Sequence, residues 1–141
     1  MSASKLRLYW RLQLAAHFMQ KQADRDLLDN DNITTAQFGV LSAIANREDV
    51  TQKDVAQALG LNPSAVTAMV KRLMKLGYIQ REGSQSDGRA KILTLSEEGE
   101  RIVKNTQPPF QKINEQIENI LSDDEIENLG DYMERLIKAF R

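Results

Sequence analysis

The stretch TQKDVAQALGLNPSAVTAMVKRLMKL, residues 51–76, decides the fold. Thr51 stands three residues before Asp54, so its hydroxyl can accept from the Asp54 amide while the carboxylate reaches back, as in a capping box. Val50 and Val55 flank that start as a hydrophobic staple. Gly60 ends the helix, where a left-handed residue costs glycine little. Asn62-Pro63 then reads as an N-cap followed by proline at the first helical position, with Leu61 and Val66 as its staple pair. Small Ala56 allows close approach, Gly60 a positive φ, and Val66 an apolar plug. These are what a helix-turn-helix needs.

On a helical wheel the second helix, expected over 62–76, divides into two faces. Val66, Met69, Val70, Leu73 and Leu76 form a core stripe. Ser64, Thr67, Ala68, Lys71 and Lys75 share the opposite face, which is small, hydroxylated and basic. Such a face fits an ordinary solvated surface. It also fits a DNA major groove, where small side chains permit approach and hydroxyls and lysines meet base edges and phosphates.

The pattern changes immediately downstream. Residues 78–82 and 90–95 read as two strands, and the turn-rich residues 83–88 between them make a hairpin. Its tip carries Asp87-Gly88-Arg89 and its return strand Lys91. An arginine on such a tip can reach a narrow minor groove, and Asp87 can hold its guanidinium by a charge-assisted hydrogen bond. A solvated turn with an incidental ion pair is the plainer alternative.

Upstream, Thr34 through Gln37 repeats the capping-box form, flanked by Ile33 and Phe38; far downstream, Ser122 through Glu125 repeats it again, flanked by Leu121 and Ile126. Helices are expected over about 4–28, 34–46, 51–60, 62–76, 96–119 and 123–140, with Pro108-Pro109 bending the fifth after about residue 104. The ends carry long apolar stripes. Leu8, Leu12, Ala15, Ala16 and Met19 share one face, and Ile102, Thr106, Phe110, Ile113, Ile117 and Ile120 step at helical spacing. Ile126, Leu129, Met133, Leu136, Ile137 and Phe140 repeat the device. These stripes suit an intramolecular core or pairing with a second chain.

Composition narrows the function classes. The 141 residues hold 19 Lys+Arg and 20 Asp+Glu, a net charge of −1, which taken whole argues against a nucleic-acid binder. Its distribution argues otherwise. Residues 1–50 are neutral, 51–95 carry seven basic against three acidic side chains, and 96–141 carry six against eleven. With no cysteine, disulfides, thiol catalysis and thiol redox sensing are excluded. His17 is the sole histidine, so a His-rich metal site is excluded too. No nucleotide loop, metal cluster or nucleophile–base pair suggests an enzyme, and no cofactor or metal is expected. There is no run of 18 apolar residues and no signal-peptide pattern, so the expected location is the cytoplasm, with no membrane partner.

Residues 33–99 resemble the MarR family of bacterial transcriptional regulators. The matching stretches are Ile33-Thr34 through Gln37-Phe38 with Val40-Leu41; Thr51-Gln52 through Leu59-Gly60; and Pro63 through Thr67. They continue with Arg72-Leu73 through Gly77-Tyr78-Ile79, Asp87-Gly88-Arg89, and Leu93-Thr94-Leu95 through Gly99. The wing's Asp-Gly-Arg, followed by Leu-Thr and a glycine, is the most specific part.

The resemblance implies a mainly α fold with a small β-hairpin wing (α+β), a winged helix-turn-helix with N- and C-terminal dimerisation helices. It implies a single domain over 1–141, a DNA-binding lobe at 33–95 and a helical dimerisation region at 1–30 and 96–141. A homodimer would read a pseudo-palindromic double-stranded DNA operator, as a repressor or, less often, an activator. A small, often aromatic or phenolic effector would bind between the lobe and the dimer region. The candidate DNA-contacting residues are Lys53, Asn62, Ser64, Ala65, Thr67, Ala68, Lys71, Arg72, Lys75, Asp87, Arg89 and Lys91. Trp10, His17 and Phe38 are the candidate effector-pocket residues. The rival readings are a winged helix that docks on protein through its acidic C-terminal helices, and an enzyme.

Overall fold

The computed structural model describes residues 7–83, 91–106 and 108–141. In order, these form α1 (Leu8–Asp31), α2 (Thr35–Ala45), α3 (Gln52–Leu59), α4 (Pro63–Lys75), β1 (Ile79–Gly83), β2 (Lys91–Leu95), α5 (Glu97–Asn105), α6 (Pro108–Ile120) and α7 (Asp123–Phe140). The fold is mainly helical with a two-stranded antiparallel wing, as the sequence indicates.

Helix starts follow their local chemistry. All three capping boxes form, at Thr34/Gln37, Thr51/Asp54 and Ser122/Glu125, each with both reciprocal hydrogen bonds. Asn62 is the exception. It takes the N-cap backbone conformation, but its side chain makes no capping bond.

Two helix boundaries differ from the sequence reading. The first helix continues to Asp31 rather than stopping near residue 28, because nothing breaks it until Asn32 enters the left-handed region at φ 57°. The segment expected as one bent helix over 96–119 is two helices. Thr106 ends α5: its hydroxyl reaches the Ile102 carbonyl and, at 3.3 Å, the Asp31 carboxylate. Pro108 then opens α6, a position where the missing proline N–H costs nothing.

α2 is apolar nearly all round and lies at the centre, against α1, α3, α4, α5 and β2. Around it Leu27, Leu41, Val55, Val66, Leu73 and Ile102 are fully buried. Each such burial contributes about 1.5–3 kcal/mol. The wing pairs Ile79 with Leu95 through Gly83 with Lys91. Val50, read from sequence only as a staple, also bridges to the wing: Leu93 N–H donates to its carbonyl at 2.7 Å.

α1 runs beside α6, where the Gln22 amide donates to Gln116 at 3.0 Å. No residue of α7 is buried. No helix among the described residues is long and apolar enough to cross a membrane.

Candidate nucleic-acid interface

The turn between α3 and α4 is set by Gly60 at φ 64°, with the Leu61 N–H returning to the Ala56 carbonyl at 2.9 Å. Ala56 is buried at the crossing, and Val66, Val70 and Leu73 pin α4 to the core. Burying that face forces the other outward. Ser64, Ala65, Ala68, Lys71, Arg72 and Lys75 are exposed, and Thr67 is half-buried. Asn62, exposed at the start of α4, and Lys53, exposed at the start of α3, complete this part of the predicted set.

Lys91 is exposed where β2 begins, opposite Gly83. Asp87 and Arg89 lie outside the described residues. Among the described residues, none of the cations of α3, α4 and the wing forms an ion pair with a carboxylate; Arg101 and Glu98 of α5 do, at 2.9 Å. Asp54, the one acid of α3, is turned back onto its cap. The Thr51 backbone N–H and hydroxyl hold its carboxyl below the usual carboxylate range.

Sequence reasoning missed two residues here. The Arg81 guanidinium of β1 donates to the Gln52 side-chain oxygen at 2.8 Å, and the Gln52 amide donates to the Thr67 hydroxyl at 3.3 Å. These partners lie 29 and 15 residues apart, so no local pattern announces them.

Residues 31–90 match the sequence model of the MarR family. The HTH-type transcriptional regulator SarZ of Staphylococcus haemolyticus is 30% identical over 112 residues, covering 78% of this chain and 74% of that protein. The chain belongs to the MarR family. Like its relatives, this MarR-family protein is a DNA-binding transcriptional regulator and not an enzyme.

Solved structures agree on the fold. The MarR-family regulator Sco3205 of Streptomyces coelicolor, solved in complex with DNA, superposes with a TM-score of 0.90 at 21% identity, covering 100% of this chain and 94% of that one. PcaV, also from Streptomyces coelicolor and solved with its natural ligand, gives 0.79 at 25% identity over 95% and 92% of the two chains.

The expected effector residues are not brought together. Trp10 is 65% exposed, edge-on to Tyr9, and His17 is exposed, edge-on to Phe18. Phe38 instead packs on Phe110, their ring centroids 5.1 Å apart. A helix shows residues to all sides, and aromatic character alone does not say which way Trp10 and His17 face. Among the described residues, an apolar recess lies between α1, α2, α3 and α6. It has a volume of about 470 Å³ and is lined by Met19 and Ala23 of α1, Gly39 of α2, Leu59 of α3, and Phe110 and Ile113 of α6. None of the three expected residues lines it.

Proposed function

We propose that the chain is a homodimeric repressor that binds a pseudo-palindromic operator. The recognition helix 62–76 enters the major groove, and Arg89 of the wing enters the flanking minor groove. The observation that carries this reading is the two-sided α4: one face anchored in the core by Val66, Val70 and Leu73, the other a run of small side chains and cations unpaired with carboxylates among the described residues. The single domain over 1–141 then divides into a DNA-binding lobe at 33–95 and a dimerisation region at 1–30 and 96–141.

Exposed apolar side chains support the dimer. Phe18 of α1, Ile120 of α6 and Phe140 of α7 are 61%, 79% and 88% exposed, large apolar side chains that a second copy of the chain would cover. A small aromatic or phenolic effector fits the recess between α1, α2, α3 and α6, which touches both regions. Occupying it acts by favouring one separation of the two recognition helices, which must match a groove spacing of about 34–36 Å.

The test is binding to duplex from the region upstream of the chain's own coding sequence, between roughly 50 and 200 mM salt. Log affinity should fall with log salt by about 0.9 per neutralised phosphate. Arg89→Ala should weaken binding while leaving dimer and melting unchanged. Absence of binding even at low salt refutes the proposal.

A further inference from the structure

Three side chains from three elements meet beside the exposed face of α4. Arg81 of β1 donates to the Gln52 side-chain oxygen at 2.8 Å. Gln52 of α3 donates through its amide nitrogen to the Thr67 hydroxyl at 3.3 Å. Thr67 donates to the Pro63 carbonyl one turn back at 3.0 Å. The order of donors is forced. A guanidinium carries donors and no acceptor, so only the amide oxygen can face Arg81. The NH2 of Gln52 must then face Thr67. A hydroxyl has one proton and two lone pairs. Here one lone pair receives Gln52 and the proton is committed to Pro63. An incoming group meets only the remaining lone pair and the methyl.

We infer that Thr67 is an acceptor-only reader of base edges: the Pro63 carbonyl holds its proton, and Gln52, itself oriented by Arg81, is a positioning residue that holds the hydroxyl in place. This rests on the assignment of α4 as the recognition helix. In the major groove every base pair shows one exocyclic amine, on adenine or cytosine, and one carbonyl, on thymine or guanine. A freely rotating hydroxyl serves either. A hydroxyl whose proton is already used distinguishes the strand bearing the amine. At one position in each half-site, Thr67 therefore selects adenine or cytosine over guanine or thymine. Because Arg81 belongs to the wing, that selection also depends on where the wing's first strand sits.

The experiment is selection of duplexes from a random pool by the full chain and by Thr67→Ser, Thr67→Val, Gln52→Ala and Arg81→Ala, with melting temperatures measured in parallel. The wild type and Thr67→Ser should prefer an amine-bearing base at one position per half-site by about 2–10-fold, the weight of a single hydrogen bond. The other three variants should lose that preference and keep the rest of the motif. If Arg81 merely contacts phosphate, Arg81→Ala lowers affinity for all sequences alike and leaves the motif intact, which overturns the inference. An unchanged motif in Gln52→Ala or Thr67→Val overturns it as well. A wild type that selects no duplex defeats the DNA-binding reading itself, and this inference with it.

Discussion

Replacing Gly99 by alanine sets two physical rules against each other. Gly99 lies in the first turn of α5, where its N–H donates to the Ser96 hydroxyl at 3.1 Å. Intrinsic propensity favours alanine over glycine inside a helix by about 1 kcal/mol. The tertiary structure opposes this. A Cβ at Gly99 would stand 2.1 Å from the Tyr78 carbonyl oxygen and 3.1 Å from its carbon, both backbone atoms that no rotamer change can move. The start of α5 would have to back away from the wing. Overpacking of this kind costs about 1–3 kcal/mol. Two hydrogen bonds hold the same junction: Ser96 N–H to the Tyr78 carbonyl at 3.0 Å and the Ser96 hydroxyl to the Gly77 carbonyl at 2.6 Å. Weakening each costs about 0.5–1.5 kcal/mol. After the propensity gain is subtracted, the net is roughly 1–5 kcal/mol of destabilisation. For a chain of this size that lowers the melting temperature by about 3–15 °C. Circular dichroism melts of the two proteins at equal concentration measure it. A Gly99→Ala variant melting at or above the wild type refutes the close approach of α5 to Tyr78.

Other outcomes follow from individual contacts. The Asp54 carboxyl is held below its ordinary range by Thr51, so its contribution is fully present above the carboxylate range and is lost as pH falls through that range and below. Asp54→Asn should therefore flatten the acid limb of the stability curve in urea titrations; an unchanged slope would show that the box carries no charge-linked stability. Leu73→Ala empties a fully buried site and should lower stability by about 2–5 kcal/mol. Lys71→Ala, on the exposed face two residues away, should leave melting nearly unchanged and reduce the salt slope of duplex binding by about 1. Light scattering should give twice the chain mass for the wild type and a shift toward the single-chain mass for Phe140→Asp. A wild type of single-chain mass at micromolar concentration would remove the dimer.

The net charge of −1 is a sum in which a basic middle segment is cancelled by an acidic C-terminal one. The structure places Lys71, Arg72 and Lys75 on one exposed helix face and the acids of α7 on a helix that buries no residue. A total is blind to that separation. What residues 51–76 determined by themselves is whatever physics acts over three or four residues. The Thr51/Asp54 box, the left-handed Gly60 and the division of α4 into two faces all depend on near neighbours, and all stand as read. The same holds for the boxes at Thr34 and Ser122.

Asn62 shows where local reading ends. Its backbone takes the cap conformation, yet its side chain makes no capping bond. Tertiary structure alone decided the rest: the bridge from Val50 to Leu93, the contact that forbids a side chain at Gly99, the recess assembled from α1, α2, α3 and α6, and the bonds linking Arg81, Gln52 and Thr67. Each joins atoms many residues apart. Their distances are set by how helices cross and strands pair, and the spacing of residue types along the chain does not encode them.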